Sequence, residues 1–509
     1  MPGIGLDSHR PAPDILTDTR NLSAGTLLTQ TQPKPRIKPR HDSVFYELTR
    51  SMCPVCKKII DAQIHLKDNK VMMRKRCPEH GWFEALMSSD AEGYVSNLVY
   101  NKPGDIPFEF ATEVKDGCPY DCGLCPEHKQ HTCLALIEVN TGCNLACPTC
   151  FANAGTGYNI TLDECETMLD AFIRAEGDPE VLQFSGGEPT LHPQLFDMIR
   201  MAKDKGIKHV MVNTNGLRIA QDEHWAHQLG ELRPMIYLQF DGFDDFTYTA
   251  LRGEKLLYVK MKALDRLAEM DLHTILVAAV ERDVNEHEIG KLVQFGLDHP
   301  AVRGVNIQPV THTGRHPDFD PTNRGTIPEV IERLAEQSDG KWLKSDFVPV
   351  PCCHPACQSV TYAYVDGDEV TPLPRLINVE DYLDYITNRS WPDPSEEVQA
   401  ALEALWSSSA VPGSESLAHQ FTCTGCNIDV SLDNEHLAKK IFAVSIKDFM
   451  DPYTFDIKKL MKCCVSVLTP DGRSIPFCSY NNVGYREEIR DEMMKDRARK
   501  RIELTRTRV

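Results

Sequence analysis

The chain has 509 residues, 41% of them hydrophobic and 25% charged, a globular composition that excludes wholesale disorder and a single small module. Lys and Arg number 55 against 74 Asp and Glu, giving a net charge of −19, which argues against a nucleic-acid binder with its basic footprint. No apolar run reaches the ~18–20 residues of a membrane helix, and Met1 to Arg20 lack the apolar stretch of a signal peptide. The expectation is a cytoplasmic protein.

The chain carries 19 cysteines. Without a secretory signal they read as metal ligands or catalytic groups rather than disulfides. They are grouped: Cys53/Cys56/Cys77, Cys118/Cys122/Cys125/Cys133, Cys143/Cys147/Cys150, Cys352/Cys353/Cys357, Cys423/Cys426 and Cys463/Cys464/Cys478. Cys165 stands alone, in a predicted helix, and reads as core.

Residues 1–41 are rich in Pro, Thr, Ser and Arg and read as a flexible leader. In the segment 42–110, CPVC and CPEHG flank an alternation (Ile64, Leu66, then Val71, Met73) that reverses at Asp68-Asn69. This predicts a hairpin between two Cys-bearing turns, the layout of a zinc ribbon or rubredoxin-like knuckle. Cys53, Cys56, Cys77 and His80 offer a Cys₃His set for one zinc or iron ion, with zinc the physical default. In the connector 111–133, Cys118, Cys122, Cys125 and Cys133 supply four thiolates. That number closes an auxiliary [4Fe–4S] cluster, with structural zinc as the alternative.

From 134 to 338 strand-like runs alternate with helix-like ones. Strands are predicted at Leu134–Val139, Val181–Phe184, His209–Val212, Met235–Phe240, Ile275–Val280 and Val305–Pro309. Thr161 and Glu164 form a capping box that opens a helix to Arg174, and Gly206 fits the residue after a second helix, His192–Lys205. Further helices are predicted over Leu256–Met270 and Glu286–Leu297 and from Thr326 onward. Six β/α units in about 200 residues are short of a full eight-fold barrel. The expected class is α/β, a partial (β/α)₆ barrel or an open doubly wound sheet. Residues 339–509 lose this regularity and form an expected Cys-rich C-terminal domain. Its preferred cluster ligands are Cys353, Cys357, Cys464 and Cys478. Cys423/Cys426 are an alternative source, and two or three of the eight C-terminal cysteines read as small buried apolar residues.

The chemistry centres on Cys143-Asn144-Leu145-Ala146-Cys147-Pro148-Thr149-Cys150, directly after the first barrel strand. Three thiolates on a cluster of four irons leave one iron open, as a catalytic metal requires. Gly186-Gly187-Glu188-Pro189 ends the second strand, where glycines permit close approach and carbonyls can accept from an ammonium. Asn213 ends the third strand and Gln239-Phe240-Asp241-Gly242 the fourth, on the rim where β/α enzymes place their chemistry.

From Cys133 to about Arg315 this pattern resembles the radical SAM superfamily. The resemblance implies that Cys143, Cys147 and Cys150 hold a catalytic [4Fe–4S] cluster. Gly186, Gly187, Glu188, Pro189 and Asn213 would then bind S-adenosylmethionine (SAM). It also implies reductive cleavage of SAM to a 5′-deoxyadenosyl radical, with electrons from a donor such as ferredoxin or flavodoxin. From residue 45 onward the motif order looks like the tetraether lipid synthase group, which implies sp³–sp³ coupling of lipid chains. A neighbouring assignment for similar proteins is methylation of a pterin precursor. The substrate expected is therefore a lipid or another small molecule. A lipid would bring peripheral membrane contact, for which the basic tail Lys495–Arg508 is a candidate, though such a tail more often is a solvated helix end. The deaminase signature, H-x-E with a downstream PCxxC, is absent in proper form, which weighs against zinc hydrolysis. A non-catalytic electron carrier would have no reason to keep an iron open.

Overall fold

Ile64 and Leu66 pair with Met73 and Val71 across a turn whose two residues, Asp68 and Asn69, both have positive φ (51° and 54°). That is the backbone of a two-residue type I′ hairpin, which Asn and Asp tolerate. The hairpin joins β2 (Ile59–Lys67) to β3 (Lys70–Cys77). With β1 (Val44–Met52) and β4 (Gly81–Ser88) it completes a four-stranded antiparallel sheet in the order β1-β2-β3-β4. The sheet is pinned to the rest of the molecule by buried Lys75. Its ammonium donates to Ser51 Oγ (2.9 Å), Pro452 O (2.7 Å) and Tyr453 O (2.8 Å).

The computed structural model describes residues 42–155, 157–351, 353–375 and 440–506. The expected leader 1–41 and Cys352, Cys423 and Cys426 lie outside the described residues.

The six predicted barrel strands all form, in sequence order and parallel. They are β5 (Leu134–Asn140), β6 (Val181–Gly186), β7 (His209–Thr214), β8 (Met235–Gln239), β9 (Thr274–Val280) and β10 (Val302–Pro309). The first helix, Leu162–Glu176, opens on the predicted capping box, and Gly206 follows the second helix at φ 89°. Helices cover one face of the sheet. Ile137, Leu182, Phe184, Val212, Leu238, Leu276 and Ile307 on that face are fully buried, in the same core as Cys165, Leu169 and Phe172.

Residues beyond 338 join this sheet. Strand β14 (Ile441–Lys447) pairs parallel with β10, and β15 (Val465–Leu468) pairs parallel with β5. At the outer ends β11 (Val348–Pro349), β12 (Gln358–Asp366), β13 (Glu369–Pro372) and β16 (Ser474–Pro476) pair antiparallel. Among the described residues the result is one 12-stranded sheet, and those from Ser43 on form one compact unit. The C-terminal region thus flanks the barrel on both sides. The basic tail is part of a helix, Tyr485–Arg506, and no described helix is long and apolar enough to cross a membrane.

Candidate active site and metal centres

The loop carrying Cys143, Cys147 and Cys150 leaves β5 at its C-terminal end and is braced from three strand ends. From the β6 end, Glu188 N donates to Gly142 O (2.8 Å) and Gly187 N to Asn140 O (2.9 Å). From the β7 end, Asn215 Nδ2 donates to Asn144 Oδ1 (2.7 Å). From beyond β10, Arg315 Nε donates to Cys147 O (2.7 Å), and Cys150 and Arg315 exchange backbone bonds (2.8 and 3.0 Å). Gly314, at φ 67°, permits that approach, since a Cβ there would lie 2.4 Å from Cys150 O. The three thiols are half-buried, Cys143 and Cys147 against Leu145, Leu217, Tyr248 and Leu256. Burial pushes the Cys143 thiol up to about 11, and the charges of Glu188 and the two other cysteines add to it. Burial also raises Cys147, opposed by the nearby Arg252 guanidinium. Loading a metal here must therefore displace protons.

Ser185, Gly186 and Gly187 are half-buried at the rim, whereas Glu188 and Pro189 are buried. A Cβ on Gly187 would lie 2.1 Å from Gly142 O, so only glycine lets the two loops touch. Glu188 faces inward. Its carboxylate accepts from Thr190 N (3.1 Å), Thr190 Oγ1 (2.6 Å), Thr214 Oγ1 (2.7 Å) and Asn215 N (2.8 Å). Expected among the SAM contacts, its side chain ties the β6 loop to the end of β7 and so holds the two in position. Asn213 Nδ2 donates to Ser185 Oγ (3.2 Å), so Asn213 borders the same open rim.

Two cations beside this loop carried no motif. Arg252 ends a helix, Asp245–Arg252, and grips buried Asp241 while its charge reaches Cys147 and Cys150. Lys260, fully buried, donates to the neutral oxygens Asn215 O and Gln239 Oε1, and burial lowers it to about 7. Asp244 caps that helix, its side chain accepting from Thr247 N (2.8 Å), and no local signal in the sequence announces that the helix returns Arg252 to the cluster loop.

The sheet face opposite the helices is polar toward its C-terminal end. Ser185, Asn213, Tyr237, Gln239 and Gln308 are each only half-buried there. Gln308 Nε2 donates to Tyr237 OH (3.3 Å) and Asn306 Oδ1 (2.9 Å), and Asn306 Nδ2 to Ser445 Oγ (2.6 Å).

In the N-terminal sheet Cys53, Cys56, Cys77 and His80 bring four ligand atoms within 4.8 Å of one another. Cys53 Sγ lies 3.7 Å and Cys77 Sγ 3.4 Å from His80 Nδ1, and Cys56 Sγ lies 3.9 Å from Cys77 Sγ. Those are edges of a tetrahedron around one ion at metal–ligand distances of about 2.0–2.3 Å, so the set fits zinc or iron.

Among the described residues no other cysteine group is that compact. Wider spacing suits a cube of irons, in which each thiolate takes a separate corner. Cys118, Cys122 and Cys125 line one cavity with His128 and Leu460. The two expected auxiliary groups are neighbours: Cys118, Cys122, Cys133, Cys353, Cys357, Cys463, Cys464 and Cys478 all border one buried cluster of side chains. Cys133 N donates to Cys464 O (2.9 Å), and Cys122 Sγ lies 3.1 Å from Ser479 Oγ. Of the preferred C-terminal four, Cys357 touches Cys353, and its charge reaches Cys463 as well as Cys478. Cys463, passed over in the sequence, is therefore a ligand candidate beside Cys464.

This geometry agrees with the comparisons. The model of the radical SAM superfamily matches residues 137–296, and that of the HMPTM N-terminal zinc ribbon domain matches residues 45–89. A 7,8-dihydro-6-hydroxymethylpterin dimethyltransferase of Methanocaldococcus jannaschii is 35% identical over 483 residues, which is 87% of this chain and 95% of that protein. The chain belongs to the radical SAM superfamily, in the family of that protein. It is an enzyme, and membership implies a [4Fe–4S] cluster, SAM and a reductant. A GTP 3′,8-cyclase of Chlorobaculum tepidum is 30% identical over 187 residues, 35% of this chain and 56% of that one. Among solved structures, Streptococcus suis SuiB bound to the precursor peptide SuiA has a TM-score of 0.33 at 16% identity, covering 41% of this chain and 46% of that one. The anSMEcpe structure with bound AdoMet has a TM-score of 0.32 at 20% identity, covering 41% and 60%. None of these relatives is named for the lipid-chain coupling expected from motif order, and neither they nor the structure support a lipid substrate or membrane contact.

Proposed function

We propose that this enzyme methylates a reduced pterin, of the kind named for the Methanocaldococcus jannaschii relative. The observation that carries the reading is the polar lining of the barrel face beneath the SAM rim. Asn213, Tyr237, Gln239, Asn306 and Gln308 offer uncharged donors and acceptors. A small heterocycle rich in nitrogen and oxygen can use the donor and acceptor capacity that their hydrogen bonds to one another leave over, whereas an alkyl chain would shield these polar groups from water without pairing with them, an unfavourable burial. With its cluster and SAM bound, the site supplies a carbon radical that can remove hydrogen from an unactivated carbon.

Around that chemistry the chain's own residues have separate tasks. Cys143, Cys147 and Cys150 hold the catalytic cluster, and the open backbone at Ser185–Gly187 faces the SAM ammonium. Glu188 and Asn215 fix the distance between those two loops. Cys53, Cys56, Cys77 and His80 hold a structural ion, and the remaining cysteine groups hold auxiliary clusters.

The test is anaerobic turnover of the reconstituted enzyme with SAM, a reductant and 7,8-dihydro-6-hydroxymethylpterin. The expected products are 5′-deoxyadenosine and methionine from SAM cleaved reductively, and a pterin heavier by one or two methyl groups with S-adenosylhomocysteine from the SAM that gives each methyl, the reductant supplying two electrons per methyl. Deoxyadenosine without any methylated pterin, under conditions where the relative turns over, would remove the substrate assignment.

A further inference from the structure

The barrel rim holds several carboxylates, and nearly all are spoken for. Glu138 pairs with Arg486 and accepts from Tyr480 OH (3.0 Å). Glu188 accepts four hydrogen bonds. Asp241 takes Arg252 on both oxygens and also Ala279 N (3.0 Å). Glu288 accepts from Phe243 N (3.0 Å), and Asp451 takes Arg324, Tyr453 N (2.9 Å) and Thr454 N (3.1 Å).

Glu281 differs. It follows β9 directly and is in phase with Val277 and Ala279 on the polar, helix-free face. Its side chain is 27% exposed, the most open of these carboxylates; it takes a backbone N–H of Arg282, and its ion-pair contact is His312 Nε2 at 3.8 Å, beyond hydrogen-bonding distance. The arginines nearby are engaged elsewhere: Arg282 with Glu329, Arg324 with Asp451. His312 itself is 95% buried, since 5% is exposed, and it is clamped parallel to the Phe319 ring at 3.4 Å. A fixed wall therefore stands behind a carboxylate with acceptor capacity to spare, at the C-terminal end of β9.

We propose that Glu281 is the specificity residue that reads the 2-amino-4-oxopyrimidine edge of the substrate. This rests on the pterin reading above. That edge presents two adjacent N–H donors, on the exocyclic amine and on N3. They match the two oxygens of one carboxylate, as a guanidinium edge does. The neutral amides of Asn213, Gln239 and Gln308 serve the rest of the ring.

The chemistry gives a swap test. The corresponding 2,4-dioxo compound, a lumazine, replaces the 2-amino donor by a carbonyl acceptor. A carboxylate repels that acceptor, whereas the Glu281→Gln amide can donate to it and accept from N3–H. Binding is measured on the SAM-loaded holoenzyme, with 6-hydroxymethyl-7,8-dihydropterin and its lumazine as probes. The wild type should prefer the pterin by about tenfold to a hundredfold, the usual worth of paired hydrogen bonds to a charged group. Glu281→Gln should lose that preference or reverse it while binding SAM as before. Glu281→Asp, which keeps the charge, should keep the preference at reduced affinity. A wild-type preference that survives intact in Glu281→Gln overturns the inference alone. Weakened SAM binding with the pterin preference unchanged also overturns it, and assigns Glu281 to the cofactor. A wild type that binds neither probe overturns the pterin reading together with this one.

Discussion

Arg252 and Asp241 form a two-bonded pair against the cluster loop, with Nε to Oδ2 at 2.7 Å and Nη2 to Oδ1 at 2.6 Å. The carboxylate is fully buried and the guanidinium nearly so. Removing one partner leaves an uncompensated buried charge, which costs about 3–5 kcal/mol. Arg252→Met should therefore lower the unfolding midpoint markedly. It should also weaken retention of the catalytic cluster, because the cation facing Cys147 is gone. Arg252→Met/Asp241→Leu should recover most of the stability but not the cluster. Iron counts and denaturant curves on the three proteins check both parts. Equal stability in Arg252→Met and wild type would show that the pair is dispensable.

Glu188→Gln keeps the size of the side chain but turns one oxygen into an NH₂ group. The hydroxyls of Thr190 and Thr214 can rotate to accept from it. The backbone N–H groups of Thr190 and Asn215 cannot, so a donor meets a donor at 3.1 or 2.8 Å. The expected cost is about 1–3 kcal/mol. Because the strain falls on the brace between the β6 and β7 ends, SAM affinity should drop by tenfold or more with the iron content unchanged. Equilibrium dialysis with SAM reads this directly, and undiminished affinity would contradict the positioning role.

The barrel was legible because its strands are short, continuous apolar runs set between capped helices, and both signals are local. Thr161 with Glu164 and Gly206 are examples that recur at the expected positions. The hairpin at Asp68-Asn69 and the four ligands around His80 were readable for the same reason. What escaped was non-local. Nothing in Val465–Leu468, a strand of 4 residues, announces that it pairs with β5 more than 300 residues earlier, as the register Val465↔Leu134 shows. That pairing brings Cys464 beside Cys133 and merges two cysteine groups that look separate along the chain. Glu188 was assigned by its motif to the ligand. Only the positions of Thr190, Thr214 and Asn215 reveal that its carboxylate also braces the β6 and β7 ends.

The Cys53/Cys56/Cys77/His80 site should contribute stability rather than turnover. Its sheet touches the rest of the unit through Lys75 on Pro452 and Tyr453 and through Thr49 Oγ1 on Asp456 Oδ1 (2.7 Å). Cys53→Ser should release the ion and lower the melting temperature, because the energy of binding a structural metal is folding energy. SAM cleavage at low temperature should persist. Metal analysis with calorimetry decides it: full metal content in the variant would reassign the ligands.

His273 precedes β9, and burial lowers it from 6.5 to about 4, with the charges of Arg303 and His209 adding to the effect. Between those values the unfolded chain binds a proton that the folded chain does not. Stability therefore rises with pH across this window and is lost as pH falls from 6.5 toward 4. The full shift corresponds to about 3 kcal/mol. Acid also releases cluster iron, so the informative quantity is the difference between wild type and His273→Gln in denaturant unfolding at pH 7 and pH 5. The variant should start less stable at pH 7, having lost a half-buried ring, and should decline less steeply as the pH falls. Parallel declines would show that His273 titrates in the folded protein as it does in the unfolded chain, and that the acid sensitivity arises at the clusters.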